Sequence, residues 1–161
     1  MDVGCGSGYK SKYMHDKGFD ITGIDFSEEM VKLAEQQVPN AKFLTMDIKK
    51  PLKFGSSFDG IFAHAVLLHM PKKEVADVLR NITGPLKTGG FFNVAVKEIW
   101  PGQKEEEILK ENDYGYAYER YFAYFTPDEV KKYITDAGLE VVSADIKNSG
   151  KTNWIQIIAR K

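Results

Sequence analysis

The fold is decided by a stretch at the start of the chain, Asp2-Val3-Gly4-Cys5-Gly6-Ser7-Gly8, which runs directly into Tyr9-Lys10-Ser11. This stretch reads as a short hydrophobic strand, a turn with glycine at every second position, and the beginning of a helix. Glycine has no Cβ, so the backbone of such a turn can adopt positive φ and approach a ligand closely. The first amides of the following helix point into the turn and favour electronegative groups. The stretch therefore predicts a loop that binds a nucleotide-type cofactor.

The spacing of the three glycines distinguishes between two kinds of cofactor loop. The fingerprint of dinucleotide-binding proteins is G-x-G-x-x-G. Here the third glycine comes one residue early, at Gly8, and Tyr9 stands where that fingerprint needs glycine. An acid, Asp2, also precedes the first glycine by two positions. The spacing therefore disfavours a nicotinamide-dependent oxidoreductase.

The composition is that of an ordinary globular domain and excludes several kinds of partner. The chain has 161 residues, 43% of them hydrophobic, so a single domain over residues 1–161 can bury a sizeable core without disulfides. The net charge is −1 without a basic block, so we expect no nucleic-acid partner. No apolar run is long enough to span a membrane, so no membrane partner is expected either. The single cysteine, Cys5, predicts a small packed residue rather than a reactive thiol, and it fits a cytoplasmic protein.

Strand and helix signals alternate from the glycine turn to about residue 96. The predicted helices cover 9–17, begin at the cap Ser27, and begin again at Pro71. A polar loop that contains residues 55–57 precedes the fourth strand. After the short first strand at 1–3, strands are predicted at 19–25, 41–46, 58–63 and 91–96. This alternation predicts right-handed βαβ units on a sheet of five parallel strands.

The pattern changes after the fifth strand. Residues 98–117 are polar and show no clear period, and we expect a solvated loop or a short exposed helix at the charge run 104–107. Thr126, Pro127 and Glu129 predict the start of one more helix. Two final strands, 139–146 and 154–159, are separated by only about seven residues, too few for a crossover helix. They are therefore predicted to form an antiparallel hairpin, with residues 98–125 as an inserted segment that caps the domain.

The order of these elements and motifs resembles one enzyme family over nearly the whole chain. The pattern from Asp2 to Gly8 resembles motif I of the class I (seven-strand) S-adenosylmethionine-dependent methyltransferases. Residues 58–61 (FDGI) resemble their fourth-strand motif, and residues 86–91 (LKTGGF) resemble their L-K-P-G-G-x turn, with Thr88 replacing proline. The resemblance implies a three-layer Rossmann-like doubly wound α/β sheet with a C-terminal antiparallel β-hairpin. It also implies S-adenosylmethionine as cofactor and S-adenosylhomocysteine as product.

The resemblance further implies which residues bind the cofactor. An acid at the end of the second strand takes both ribose hydroxyls in this family, and Asp25 stands there, 21 positions after Gly4. Asp47, at the end of the third strand, holds the position that accepts from the adenine amino group. Taken singly, such an aspartate is more often a helix cap or turn former, but the features occur in the right order. The expected cofactor-binding residues are Asp2, Gly4, Cys5, Gly6, Gly8, Asp25, Phe26, Met30, Asp47, Ile48 and Ala63, and no metal site is expected.

The catalytic and acceptor-binding residues are harder to assign because a methyltransferase needs one general base or none. His69, in the loop before Pro71, is the candidate base since its ordinary pKa suits proton removal near neutrality. The alternative is that His69 only caps or hydrogen-bonds that loop. Acceptor contacts are expected from residues that follow the fourth and fifth strands and from the aromatic run 114–125. These candidates are His64, Lys97, Arg120 and Tyr121.

Two interpretations of the aromatic run and two of the whole chain stay open. The run either caps the acceptor, with Arg120 available for a carboxylate or phosphate, or is an extended segment packed on the sheet edge. The chain is either a methyltransferase acting on a small-molecule acceptor or a methyltransferase-like subunit that binds cofactor or a partner with little or no turnover. Only three residues precede the glycine turn, whereas the resembling family has upstream helices that cover the cofactor. We therefore expect a truncated form with an open pocket, or a homodimer that covers the uncapped cofactor face.

Overall fold

The computed structural model describes residues 1–54, 57–112 and 115–161, and a mixed β-sheet forms the centre of this part of the chain. Residues 55 and 56 of the predicted polar loop and Tyr114 of the aromatic run lie outside the described residues. The strands are β1 (Asp2–Val3), β2 (Thr22–Asp25), β3 (Lys42–Thr45), β4 (Phe58–His64), β5 (Leu86–Lys97), β6 (Glu106–Glu111), β7 (Tyr118–Ala123), β8 (Glu140–Ser149) and β9 (Thr152–Arg160).

Four α-helices are described, and their ends follow the local sequence signals. They are α1 (Tyr9–Asp16), α2 (Glu28–Gln37), α3 (Lys72–Thr83) and α4 (Pro127–Asp136), and a 3₁₀ turn covers Leu67–His69. The predicted caps are confirmed: the Ser27 hydroxyl accepts from the Met30 amide, and Thr126 and Glu129 form a reciprocal capping box.

The strand order of the seven-stranded sheet is β3-β2-β1-β4-β5-β9-β8. Strands β1 to β5 run parallel to one another, and β9 is antiparallel to both β5 and β8. Because β1 is followed by β2 and β3 on one side and β4 lies on its other side, the chain reverses direction across the sheet between β1 and β4. This arrangement confirms the predicted Rossmann-like fold with five parallel strands and a C-terminal antiparallel hairpin.

Helices pack on both faces of this sheet and create two separate cores. The larger core holds the apolar sides of α3 and α4 against inward-facing residues such as Ile24, Ile61 and Phe92. The smaller one holds α2 against Cys5 and Phe43 on the other face. The α1 helix lies on that second face as well, where the hydroxyl of its Ser11 donates to Asp2.

One sequence prediction is wrong at the level of elements, and one predicted turn lies within a longer strand. The charge run 104–107 is neither a loop nor a helix along its whole length, because Glu106 and Glu107 begin β6, which pairs antiparallel with β7. The predicted turn at 87–90 is present as an irregularity inside β5: Leu86 pairs with Phe58 and Phe91 pairs with Gly60, so the residues between them leave the regular register, and Gly89 has φ +79°. A partner strand stabilises the extended backbone of β6, and the local charge of the sequence does not reveal that partner.

The β6–β7 hairpin lies over the edge of the sheet where the parallel strands end. Strand β7 packs against the 3₁₀ turn that follows β4. An isolated bridge between Glu98 and Phe125 ties the two ends of the inserted segment together. The hairpin is thereby fixed above the carboxyl ends of β4 and β5.

The second face of the sheet is only partly covered. Within the described residues, α1 and α2 are the helices on this face, and Lys10 of α1 reaches Phe62 and His64 on β4. On the β4–β5–β9 part of the same face, Phe91 is 49% exposed and Ile158 is 38% exposed. Phe62, His64 and Trp154 stack in a row beside them.

Candidate active site

A cavity of about 690 Å³ opens at the carboxyl ends of the central strands. Its walls come from the loops that follow β1, β2, β3 and β4, so it lies at the point where the strand order reverses. The lining residues are Gly4, Asp25, Phe26, Met46, Asp47, Ile48, Lys49, Ala65, Val66, His69 and Met70.

The glycine loop needs its glycines for packing as well as for backbone conformation. Gly4 has φ +64°, and a Cβ there would lie 2.5 Å from Cγ2 of Val66 in the loop after β4. Gly8 has φ +85°, and a Cβ there would lie 2.9 Å from the Cα of Ala34 on α2. Glycine at these positions therefore lets the loop after β1 approach both α2 and the far wall of the cavity.

Asp25 is held beside the glycine loop by two hydrogen bonds. Its side chain accepts from the Gly6 amide at 2.9 Å through Oδ2 and from the Ser27 amide at 3.0 Å through Oδ1. The residue is only 9% exposed, and its carboxylate reaches the cavity wall. Each oxygen keeps acceptor capacity after these bonds, so the carboxylate fits a vicinal diol such as ribose.

Asp47 also lines the cavity, where its side chain is exposed. The Lys49 amide donates to Asp47 Oδ1 at 2.9 Å, which closes a tight turn and orients the carboxylate. Ile48 and Met46 line the cavity next to it, and Phe26, 82% exposed, lines it too. An acceptor flanked by apolar side chains fits the amino edge and the faces of a purine.

Six of the expected cofactor residues do not line the cavity: Asp2, Cys5, Gly6, Gly8, Met30 and Ala63. Asp2 is buried and accepts a 2.5 Å hydrogen bond from the Ser11 hydroxyl, while burial raises the pKa of Asp2. Burial also raises the pKa of the Cys5 thiol to about 12, so the thiol is not reactive. Asp2 and Cys5 are thus buried next to the glycine loop.

His69 lies in the cavity wall, at the end of the 3₁₀ turn. Its Nδ1 is 3.0 Å from the carbonyl oxygen of Tyr121 on β7. Because a carbonyl only accepts, Nδ1 carries the proton and Nε2 keeps a free lone pair. His69 is partly exposed, but desolvation of its ring first, and then the charges of Arg120 and Lys97, lower its pKa, while the bond to the Tyr121 carbonyl opposes this shift; the neutral form prevails near pH 7.

His64 lies outside the cavity wall. Lys10 donates to its Nδ1, and its ring stacks between Phe62 and Trp154 with centroid distances of 5.3 and 5.5 Å. Burial, followed by the charge of Lys10, lowers the pKa of His64 to about 4. The structure therefore does not bring His64 together with His69.

The other candidates for acceptor binding lie on β5 and β7. The Lys97 ammonium lies 4.0 Å from the ring centroid of Phe122, and Phe122 makes an edge contact with the His69 ring at 5.0 Å. Arg120 pairs with Glu111 at 3.0 Å. The Tyr121 phenol bonds to Glu106, and burial together with that carboxylate raises its pKa to about 12. Tyr121 thus contributes its backbone carbonyl to the site.

Several cavity residues were not expected from the sequence. They include Ala65, Val66 and Met70 in the loop after β4, and Ala65 has φ +60°. The partner of His69 was missed as well, because it is a backbone carbonyl 52 residues away.

The fold and this site together define a Rossmann-like cofactor-binding domain, and comparison with known proteins identifies its family. The family model described as "Methyltransferase domain" matches residues 1–94, more than half of the chain. The chain therefore belongs to the methyltransferase domain family, which confirms the expected class and its cofactor, S-adenosylmethionine.

Individual relatives agree with this assignment. The chain is 33% identical over 99 residues to a ubiquinone biosynthesis O-methyltransferase of Coxiella burnetii, covering 58% of this chain and 42% of the relative. Its fold is similar to that of a solved methyltransferase from Methanosarcina mazei, with a TM-score of 0.85 and 23% identity over 99% of this chain and 90% of the other. The fold is also similar to that of the 1,6-didemethyltoxoflavin-N1-methyltransferase of Burkholderia thailandensis, with a TM-score of 0.78 and 22% identity. This match covers 99% of this chain and 69% of the other.

The chain spans less than half the length of the curated relatives that it matches, 38% to 45% of three of them. In the described residues, no helix is both long and apolar enough to cross a membrane.

Proposed function

We propose that this chain is an S-adenosylmethionine-dependent methyltransferase domain acting on a small-molecule acceptor. The observation that carries the proposal is the cavity at the strand-order reversal. It brings the glycine loop, Asp25, Asp47 and a neutral His69 together in a chain of the methyltransferase domain family.

The residues in the cavity wall fit the cofactor. Asp25 would take the ribose diol, and Asp47 the adenine amino group between Phe26 and Ile48. When bound, S-adenosylmethionine supplies a methyl group already activated on a sulfonium. The protein therefore has to orient the acceptor and exclude water more than it has to activate the methyl donor.

His69 serves as the general base for the acceptor. The Tyr121 carbonyl holds the Nδ1 proton, so Nε2 is left to accept the proton of a hydroxyl or amine in the cavity. The lowered pKa keeps His69 unprotonated at neutral pH, which is the form that a base needs. This role favours an oxygen or nitrogen acceptor over one that carries no proton to remove.

The proposal of a small acceptor is supported by the dimensions and charge of the protein. A cavity of about 690 Å³ is in the usual range for small ligands. A net charge of −1 gives no general attraction for a nucleic-acid backbone. Two relatives are named for small molecules, a ubiquinone-pathway O-methyltransferase and the toxoflavin N1-methyltransferase.

A thermal-shift panel with S-adenosylmethionine, S-adenosylhomocysteine and NAD tests the cofactor part. A ligand at about 100 times its Kd stabilises by about 2.7 kcal/mol, which raises Tm by about 5–10 °C for a domain of this size. We expect this shift with the two sulfur ligands and none with NAD. A shift with NAD alone would overturn the proposal. Release of S-adenosylhomocysteine in the presence of candidate hydroxyl and amine acceptors then tests turnover.

A further inference from the structure

Two cationic side chains lie beside His69 on the acceptor side of the site, and their charges are balanced differently. Arg120 is paired with the Glu111 carboxylate at 3.0 Å, and both side chains are partly buried, 29% and 26% exposed. The Arg120 guanidinium also lies 5.0 Å from the ring centroid of Tyr118. Arg120 is therefore largely neutralised within the β6–β7 hairpin, which disfavours it as the anion-binding residue.

Lys97, the last residue of β5, has no such partner. It makes no ion pair with any residue in 1–54, 57–112 or 115–161, and its ammonium lies 4.0 Å from the ring centroid of Phe122. Burial lowers the pKa of Lys97, an effect that the more distant Glu111 only partly offsets. An aromatic face stabilises a cation less than a carboxylate does. Lys97 is thus a half-buried cation whose charge a bound anion would balance.

Phe122 connects this charge to the candidate base. Its ring is 2% exposed and contacts the Lys97 ammonium at one position and the His69 ring, edge to face, at another. The Lys97 ammonium is therefore at most about 9 Å from the centroid of the His69 ring, the sum of these two distances, and one small molecule can span that separation. From these contacts, and on the basis of the function proposed above, we propose that the acceptor carries a carboxylate bound by Lys97 Nζ while its hydroxyl or amine faces His69 Nε2.

A carboxylate suits the charge of this region better than a phosphate. Taken alone, Lys97, Arg120 and Glu111 carry one net positive charge, because Glu111 balances one of the two cations. A singly charged carboxylate balances it, whereas a doubly charged phosphate leaves excess negative charge close to Glu111.

Titrations with benzoate and benzamide test the inference, because the two probes have nearly the same shape and differ in charge. Binding is followed by amide chemical shifts of the labelled protein, with and without S-adenosylhomocysteine. A charged hydrogen bond contributes about 1.5–3 kcal/mol, so we expect benzoate to bind at least about tenfold more tightly than benzamide. Lys97→Met should abolish this difference.

Lys110→Met is the matched control. Lys110 lies on β6 of the same hairpin and is exposed, so this substitution removes the same charge without touching the site. We expect its benzoate affinity to stay within about twofold of wild type, because exposed charges at a distance are screened by salt. The spectra of both variants also report whether the fold is retained.

Three results would overturn the inference. One is equal binding of benzoate and benzamide by the wild type, or no binding of either. Another is an equal loss of benzoate affinity in both variants. The third is phenyl phosphate binding about tenfold more tightly than benzoate, which would exclude the carboxylate. Calorimetry with S-adenosylhomocysteine on the same three proteins separates this inference from the proposed function: absence of that binding contradicts the function, whereas charge-independent benzoate binding contradicts only the acceptor class.

Discussion

Asp25 has two tasks at the scale of a single residue, because its carboxylate both binds the Gly6 and Ser27 amides and faces the cavity. We expect Asp25→Ala to weaken the binding of S-adenosylhomocysteine by about 1.5–3 kcal/mol, since the ribose loses a charged acceptor. Isothermal calorimetry measures this loss. Asp20→Ala is the control, because Asp20 is an exposed acid just before the start of β2, at the opposite end of the strand. Equal affinities of the two variants would assign the ribose to another group.

His69 is expected to act on the acceptor and not on the cofactor. His69→Ala should leave the affinity for S-adenosylhomocysteine within about threefold of wild type while methyl transfer falls by about 10²–10⁴-fold, the usual contribution of a general base. Calorimetry and a turnover assay on the same preparation give the two values. A large loss of cofactor affinity would instead make His69 part of the cofactor site.

The environment of His64 predicts that the free energy of unfolding falls in acid. Its pKa falls from an ordinary 6.5 to about 4 in the fold, where it is surrounded by Lys10, Phe62 and Trp154. Because the folded state disfavours the protonated ring, this contribution is complete above pH 6.5 and is lost as the pH falls towards about 4. Linkage gives a loss of about 2 kcal/mol between pH 7 and pH 5.

The His64→Phe variant isolates this effect, because phenylalanine keeps the stacked ring and cannot titrate. Urea unfolding at pH 7 and pH 5 gives the free energy of unfolding of each protein, and the difference between wild type and variant removes the other titrating groups. If the wild type and the variant lose the same free energy of unfolding between pH 7 and pH 5, His64 does not titrate in this range.

At the scale of elements, local signals were sufficient where a helix or strand is determined by its own residues. The caps at Ser27 and Thr126 and the period of the apolar residues predicted α2, α3 and α4 to within a few residues. The β6–β7 hairpin was missed because Glu106–Glu111 pairs across an intervening segment with Tyr118–Ala123. The same applies to the site: Asp25 and Asp47 could be predicted from strand ends, but the bond between His69 and Tyr121 depends on long-range packing.

Lys72 connects three elements, and its contacts indicate how the β6–β7 hairpin is held against α3 and α4. Its ammonium bonds Glu105 next to β6 at 3.0 Å and Glu129 on α4 at 2.8 Å, while the residue itself begins α3. The Lys72 side chain is only 12% exposed. We expect Lys72→Met to lower the free energy of unfolding by about 1–2 kcal/mol, between the values for exposed and buried pairs.

Hydrogen exchange localises the effect of Lys72. The amides of β6 and β7 should exchange faster in Lys72→Met, whereas those of β1 to β3 should not change. Lys73→Met is the matched control, because Lys73 is the exposed neighbour on the same helix. Faster exchange in both variants, or in neither, would contradict a specific role of Lys72 in docking the hairpin.

At the scale of the whole molecule, the partly covered sheet face leads to a prediction about assembly. Phe91 and Ile158 are exposed on the face that α1 and α2 leave open, next to the stacked Phe62 and Trp154. Apolar side chains grouped in this way are typical of an interaction surface. With a net charge of only −1, two copies repel each other weakly.

We therefore expect this face to pair with itself in a two-fold symmetric homodimer, in which each Ile158 lies against the partner's copy of the same face. Sedimentation equilibrium measures the dimer, and Ile158→Lys should weaken it by at least about tenfold, because two unpaired charges would be buried per interface. Ile108→Lys is the control, since Ile108 is 63% exposed on β6 and lies outside this face. A wild type that stays monomeric at high protein concentration would contradict the prediction. So would a dimer that Ile108→Lys weakens as much as Ile158→Lys does, because the interface would then include the hairpin.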